Sequence, residues 1–254
     1  MERPRSDELS IIVPTVRSEK YLDLILDYYE NYAVEVVVFV DSKSSERVRE
    51  IVAQRNFRSI NVHNDSTRVG EIIELISHSV SGKWILRIDD DELPSGSLMN
   101  FVYEAVRRDE ADVYGLIRHQ CTVANDGKLL RSNSVSAHSH RQWRLYKRET
   151  VIYRTDGHTP GFYLENLNAV PAPDEACLIH LDWALHSYEE RRSKVEAYDI
   201  HTPGHGEIFR DYYLPEESGE SIPNLRRLYL EEFDTLARQI AERKILEYPD
   251  HYFL

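Results

Sequence analysis

The sequence predicts an α/β fold in which a mainly parallel central sheet is flanked by helices. From Ser10 to Ile88, short apolar strand patterns alternate with amphipathic helix patterns, which is typical of a parallel sheet covered by helices. The four acids Asp89–Glu92 follow directly on the run Lys83–Ile88, which has the pattern of a buried strand. Open α/β folds build their sites at such strand ends, so these acids are the first candidates for a functional site.

The first half of the chain contains four predicted strands separated by three predicted helices. Ser18 and Ser45 are predicted N-caps, because a serine hydroxyl can accept a hydrogen bond from an amide of the first helical turn. In chain order we predict strand Ser10–Pro14, a helix after Ser18 with an apolar stripe from Tyr21 to Tyr29, strand Val34–Val40, a short helix after Ser45, strand Ile60–Val62, helix Gly70–Val80 and strand Lys83–Ile88.

The second half has fewer regular patterns and more turn residues. Ser187 and Glu190 form a capping box that predicts the start of a helix reaching about Asp199. The other predictions are strand Val113–Arg118, a tight turn at Asn125–Gly127 with a return strand Lys128–Leu130, strands Trp143–Tyr146 and Cys177–His180, a loop Thr155–Pro173, a mobile loop His201–Ser221, and a last helix from near Pro223.

Composition limits both the class of protein and its compartment. The 254 residues include 41% hydrophobic residues and carry a net charge of −13, which argues against a protein whose main partner is nucleic acid. With only Cys121 and Cys177, the sequence offers neither a disulfide framework nor a cysteine-based zinc site. No signal core is visible, and no run approaches the ~20 apolar residues of a membrane span. We therefore expect a cytoplasmic protein and leave open peripheral contact with the inner face of a membrane.

The acidic run itself favours a cation site. Two carboxylates ~4 Å apart repel by roughly 4 kcal/mol at an effective dielectric of 20, so several of them in one turn need a partner. Carboxylate oxygens are suitable ligands for Mg²⁺ or Mn²⁺. The alternative is a solvated acidic turn, and the buried strand before the acids argues against it.

Four segments form an ordered set: the opening strand Ile11–Thr15, the second strand Val37–Ser42 with its acid, the loop Arg68–Gly70, and the strand with acidic motif Ser81–Glu92. Taken together, they resemble the GT-A glycosyltransferases of the family-2 type, an inverting, DxD-containing group. The resemblance extends from about Ser10 to Arg107 and implies the GT-A (nucleotide-diphospho-sugar transferase) fold. It also implies a C-terminal acceptor-side region with helices.

The resemblance implies a nucleotide-sugar donor, such as a UDP-, GDP- or dTDP-sugar, bound with Mn²⁺ or Mg²⁺. Asp41 is expected to contact the base or ribose, and its alternative role is to cap the helix that follows. The residues expected to bind the nucleotide sugar are Pro14, Thr15, Arg17, Asp41, Arg68, Asp89 and Asp90. Those expected to bind the metal are Asp91, as the direct ligand, with Asp89 and His180.

Inversion requires a base that takes a proton from the acceptor hydroxyl, and relatives carry it in the second half of the chain. The candidates are Asp156, His158 and Glu165, of which Asp156 is preferred. Relatives often have a His-Glu pair here, whereas His158 is followed by Thr159.

The expected organisation is a nucleotide-sugar-binding half, residues 1–110, an acceptor-side half, residues 111–200, and a C-terminal loop and helical extension, residues 201–254. A glycan or lipid-linked glycan is the expected acceptor.

Two other functions stay open. A sugar nucleotidyltransferase needs a Gly-rich loop after the first strand, and Thr15–Glu19 contains no glycine. A non-catalytic nucleotide- or glycan-binding module would show no turnover.

Overall fold

The computed structural model describes residues 5, 7–16, 19–30, 32, 34–64, 69–132, 141–154, 160–201, 203–217 and 225–247. The chain forms two compact units. The first consists of Met1–Ile117 and Arg141–Leu178, and the second of Arg118–His140 and Ile179–Leu254.

The strands and helices of the described residues are as follows. The strands are β1 (Leu9–Thr15), β2 (Glu35–Asp41), β3 (Arg58–Val62), β4 (Trp84–Arg87), β5 (Glu92–Pro94), β6 (Val113–Val123), β7 (Leu129–Arg131), β8 (Gln142–Lys147), β9 (Ile152–Tyr153), β10 (Phe162–Tyr163), β11 (Ala169–Pro171), β12 (Cys177–His180) and β13 (Arg226–Arg227). The helices are α1 (Leu22–Tyr29), α2 (Glu46–Ala53), α3 (Val69–His78), α4 (Gly96–Arg108), α5 (Asp182–Leu185), α6 (Tyr188–His201), α7 (His205–Tyr213) and α8 (Asp234–Glu247).

The first unit is built on the predicted helix-covered sheet, which the structure confirms. Strands β4, β1, β2 and β3 lie side by side and run parallel, while β8 pairs antiparallel with both β4 and β6. At the far side, β11 pairs parallel with β6. The strands β1, β2 and β4 are apolar on both faces because parallel sheets are covered by helices on both sides.

The core of this unit packs apolar residues of the sheet against α3 and the segment after β8. Its fully buried members include Ile12, Phe39, Ile73 and Tyr146. The Tyr146 hydroxyl shares a 2.7 Å hydrogen bond with the Ser77 hydroxyl of α3. Gly82 precedes β4, and a Cβ atom there would lie 2.4 Å from the backbone nitrogen of Ser10. A glycine at this position therefore allows β4 to start directly beside β1.

The second unit combines a small antiparallel sheet with four helices. The end of β6 pairs with β7, and β7 pairs with β13. The predicted capping box is present at the start of α6: the Ser187 hydroxyl accepts from the Glu190 amide at 3.2 Å, and the Glu190 carboxylate accepts from the Ser187 amide at 2.7 Å. Val195, Tyr213 and Leu214 form a buried apolar cluster in this unit.

Four local predictions were wrong. The N-cap of α1 is Tyr21 rather than Ser18, and the other three predictions concerned segments rich in turn residues. Helix α7 lies within the predicted loop His201–Ser221, and strands β10 and β11 lie within the predicted loop Thr155–Pro173. The last helix begins at Asp234 rather than near Pro223. Among the helices that the structure describes, none combines the length and apolar character needed to cross a bilayer.

Candidate active site

The carboxyl ends of β1, β2 and β4 lie at one edge of the first unit's sheet. These strands are parallel neighbours, so the residues that follow them are brought together. Thr15 ends β1, Asp41 ends β2, and the acids Asp89–Glu92 follow β4. Pro14 lies on β1 opposite Phe39 of β2. The sequence placed its candidate site at this edge, and the edge is where ligands bind in open α/β sheets.

Asp41 has one satisfied and one unsatisfied carboxylate oxygen. The residue is 1% exposed, and its Oδ1 accepts a hydrogen bond from the Lys43 amide at 2.8 Å. Its Oδ2 is buried and has no hydrogen-bond partner among the described residues. A buried oxygen without a partner is costly, because the protein does not replace the water it loses. Asp41 therefore presents an acceptor that a ligand donor can satisfy.

Asp90 is held by the end of β1. The Thr15 hydroxyl donates to Asp90 Oδ2 at 2.7 Å, and the Val16 amide donates to the same oxygen at 3.4 Å. The carbonyl of Thr15 accepts from the Ser44 hydroxyl at 3.3 Å, so the same residue also contacts the segment after β2. Thr15 thus links Asp90 to the segment that follows β2.

Asp89 lies against two buried arginines. Arg144 of β8 donates to Asp89 Oδ1 at 2.8 Å and to Asp89 Oδ2 at 2.7 Å, and it also donates to Glu92 at 3.2 Å. The Nε atom of Arg87 lies 3.6 Å from Asp89 Oδ1. Burial, and then the neighbouring Arg144, lower the pKa of Arg87 to about 10, so its guanidinium is still charged at neutral pH. Two positive charges therefore accompany the acidic turn.

Neither Arg87 nor Arg144 was among the candidate residues from the sequence. Arg87 was an available signal, because it is a charged residue in the otherwise apolar strand β4. Arg144 was not, because β8 also contains the polar residues Gln142 and Lys147. The sequence alone does not reveal that β4 pairs with β8. This pairing places Leu86 opposite Leu145 and therefore brings Arg144 beside the end of β4.

Asp91 lies in the same turn and is 5% exposed. The turn is held from α1 as well, since the Tyr29 hydroxyl donates to the Glu92 carbonyl at 2.8 Å and the Tyr28 hydroxyl to the Pro94 carbonyl at 3.0 Å. Burial raises the pKa of Tyr29 well above its usual value, so this hydroxyl keeps its proton and stays a donor. The acidic turn is therefore a preformed structure.

The candidate bases and two nucleotide-binding candidates are only partly described. Asp156 and His158, and likewise Arg17 and Arg68, lie outside the described residues. Glu165 lies exposed in the turn between β10 and β11, next to Asn166, whose φ of 65° is in the left-handed region.

In the second unit, His180 is buried and hydrogen-bonded through Nδ1. Its Nδ1 contacts Gln120 Oε1, and the Tyr212 hydroxyl lies 2.9 Å from the same nitrogen. A carbonyl oxygen only accepts, so Nδ1 is the donor in its contact with Gln120. Histidines that bind a metal are oriented in this way by a partner on their other nitrogen.

In the second unit, basic side chains lie close to the buried carboxylate of Asp182. Lys194 donates to Asp182 Oδ1 at 2.8 Å, and His186 Nδ1 lies 3.2 Å from the same oxygen. Burial alone would raise the pKa of Asp182, but Lys194 and then His186 hold it well below its usual value. Arg191 is bound by Glu216 and by the Tyr213 carbonyl. Lys194 and Arg191 therefore have carboxylate partners within the second unit.

Comparisons with known proteins identify the family and the fold of the chain. The family described as "Glycosyl transferase family 2" matches residues 10–164, whereas no curated protein matches the chain. A crystal structure of S. aureus TarS is 17% identical, with a TM-score of 0.50, over 84% of this chain and 44% of that chain. A crystal structure of S. aureus TarS 1–349 in complex with UDP is 15% identical, with a TM-score of 0.50, over 95% of this chain and 91% of that one. Both likenesses concern the fold, and the chain spans less than half of the first structure.

Proposed function

Because the chain belongs to glycosyl transferase family 2 and has the GT-A fold, we propose that it transfers a sugar from a nucleoside diphosphate sugar to an acceptor hydroxyl. The transfer proceeds with inversion and uses a divalent cation, Mg²⁺ or Mn²⁺. A glycan or lipid-linked glycan is the acceptor, as in polysaccharide assembly. The related TarS structure contains UDP, so a UDP-sugar is the first donor to test.

The observation that carries this proposal is the buried Oδ2 of Asp41 at the carboxyl end of β2, which has no hydrogen-bond partner in the described part of the chain. A pyrimidine imide or a ribose hydroxyl supplies the donor that this oxygen lacks. The alternative role of Asp41, to cap the following helix, is filled by another residue: Ser45 is the N-cap of α2, and its side chain accepts from the Val48 amide at 3.3 Å. Asp41 is thus available for ligand binding without loss to α2.

The acidic turn fits a cation by the chemistry of its donors. It contains the buried carboxylate of Asp91 together with Asp89 and Asp90, and carboxylate oxygens are the ligands that Mg²⁺ and Mn²⁺ prefer. Asp91 would hold the cation, and Asp90, fixed by Thr15, would support it. The chemistry that such a cation supplies when bound is neutralisation of the charge on the departing diphosphate. His180 remains a further candidate ligand from the resemblance.

The remaining chemical task is to remove the proton of the acceptor hydroxyl. A carboxylate or a histidine within hydrogen-bond reach of that hydroxyl serves as general base. Asp156, His158 and Glu165 remain the candidates, and the exposed position of Glu165 beside β10 is compatible with access by an acceptor.

Replacing Asp41 with alanine tests the nucleotide site. We expect the variant to bind UDP about 10- to 100-fold more weakly in a calorimetric titration with Mn²⁺, since a hydrogen bond to a charged group contributes about 1.5–3 kcal/mol. The rate of UDP release at saturating donor should change little, because this contact is made equally in the ground and transition states.

Asp27→Ala, which removes an exposed carboxylate of α1, is the matched control and should bind UDP as the unchanged chain does. Unchanged UDP affinity in Asp41→Ala would contradict the nucleotide assignment. A large loss of UDP release at an unchanged donor KM would place Asp41 in the chemical step instead.

A further inference from the structure

Arg144 binds the acidic turn through a two-point contact. Its guanidinium donates to both oxygens of Asp89, at 2.8 and 2.7 Å, and its Nη2 also donates to Glu92 Oε1 at 3.2 Å. The side chains of Arg144 and Glu92 are 3% and 0% exposed. Parallel N–H donors that match a carboxylate in this way fix its orientation as well as its charge, which a lysine cannot do.

The contact closes a turn that is also held by its own backbone. The Asp89 amide donates to Glu92 Oε2 at 3.0 Å, and the Glu92 amide donates to the Asp89 carbonyl at 3.0 Å. Asp89 and Glu92 are thereby tied to each other and to Arg144, with Asp90 and Asp91 between them. The orientation of these two middle acids depends on the closed ends of the turn.

We propose that Arg144 is a positioning residue: by holding Asp89 and Glu92, it makes Asp89 a support of the turn and orients Asp91 for direct contact with the divalent cation. This inference rests on the proposed function, since it assigns roles within the same cation site. Arg144 touches neither donor nor acceptor in this role and acts through Asp89.

The test measures the Mn²⁺ factor, which is the UDP dissociation constant in EDTA divided by that in Mn²⁺. Both constants come from calorimetric titrations of the full chain. Arg144→Lys keeps a positive charge but loses the two-point contact. We expect this factor to fall about tenfold or more, because residues that orient metal ligands typically contribute 10- to 100-fold to metal affinity. UDP affinity in EDTA should stay within about twofold, since Asp41 and Thr15 are unchanged.

A double-mutant cycle separates positioning from a general structural role. Asp89→Asn alone should lower the Mn²⁺ factor about as much as Arg144→Lys, and the double variant should lose little more than either single variant, because the two residues act as one unit. Asp91→Asn should abolish the factor. Arg141→Lys is the matched control: Arg141 donates to the carbonyls of Gly115 and Ala172 and to Asp174, away from the acidic turn.

Three results would overturn the inference. The Mn²⁺ factor could be unchanged in Arg144→Lys, the losses of the two single variants could multiply in the double variant, or Asp89→Asn could lose the whole factor as Asp91→Asn does. The last result would make Asp89 a direct ligand. If Mn²⁺ does not tighten UDP binding to the unchanged chain, the proposed function loses its cation and the inference falls with it. Should Arg144→Lys fail to fold, Asp89→Asn still decides between a support and a direct ligand.

Discussion

Asp91→Asn is expected to abolish sugar transfer and Mn²⁺-dependent nucleotide binding while the chain stays folded. Asparagine has the shape of aspartate but lacks the charge that a divalent cation requires. Charge stabilisation by a bound cation contributes several kcal/mol to the transition state, so transfer should fall by about 10²-fold or more. For this variant, UDP release measures sugar transfer, calorimetry measures Mn²⁺-dependent nucleotide binding, and circular dichroism measures folding.

Asp126→Asn is the control for this change, because Asp126 is an exposed acid in the turn between β6 and β7. It should transfer sugar at the unchanged rate. If Asp91→Asn also transfers sugar at an undiminished rate with intact Mn²⁺ dependence, the cation is held elsewhere and the assignment of the acidic turn is wrong.

Replacing the catalytic base should lower turnover by about 10²- to 10⁴-fold, the usual contribution of a general base. The variants are Asp156→Asn, His158→Ala and Glu165→Gln, each measured for transfer and for UDP binding with Mn²⁺. UDP binding should survive in all three, since the predicted nucleotide contacts lie at the ends of β1, β2 and β4. Slow release of UDP by hydrolysis of the donor to water should survive as well.

Glu149→Gln is the matched control, because Glu149 is an exposed acid of the same unit that pairs with Arg148. Near-normal transfer by all three variants would place the base elsewhere. Asp174, Glu175 and Asp182 would then be the next candidates, and the interpretation of the segment around Glu165 as the acceptor side would be wrong.

The parallel strands β1, β2 and β4 of the first unit were predictable because their signal is local. Strands β1, β2 and β4 are apolar runs that end at polar residues, and a run of this kind is buried wherever the sheet forms. The capping residues Ser45 and Ser187 were likewise predictable, since each hydroxyl bonds an amide three residues later. In all of these cases the partner is either a residue three positions later in the chain or any apolar neighbour.

Helix α7 shows where local signals fail. Its segment begins with Gly204 and Gly206, which as sequence indicate a loop. In the structure Gly204 takes a φ of 86° at the N-cap, and the amides of both glycines donate to Asp199 Oδ1 at 3.1 and 2.8 Å. A Cβ atom on Gly206 would lie 2.3 Å from the Asp199 side chain. The glycines permit a close contact with α6, which a sequence alone does not reveal.

The position of the acidic turn in the fold was predictable, but its electrostatics were not. The sequence argument held that clustered acids need a cation, and it located them correctly after the strand β4. It did not include the buried Arg87 and Arg144, which neutralise part of this charge. Arg87 lies at the end of β4 itself, whereas Arg144 reaches Asp89 through the pairing of β4 with β8, two strands far apart in sequence. The acidic turn thus carries less uncompensated charge than its composition indicates, and the case for a cation rests on Asp91 and on the family.

The most direct test of the central claim is the thermal stability of the unchanged chain with UDP, GDP and dTDP, each with Mn²⁺ and with EDTA. A ligand at about 100 times its dissociation constant stabilises the folded chain by roughly 2.7 kcal/mol. The proposed function predicts that at least one nucleoside diphosphate raises the melting temperature, and that it does so more in Mn²⁺ than in EDTA. A melting temperature that no nucleoside diphosphate raises in either condition would contradict a donor site at the ends of β1, β2 and β4.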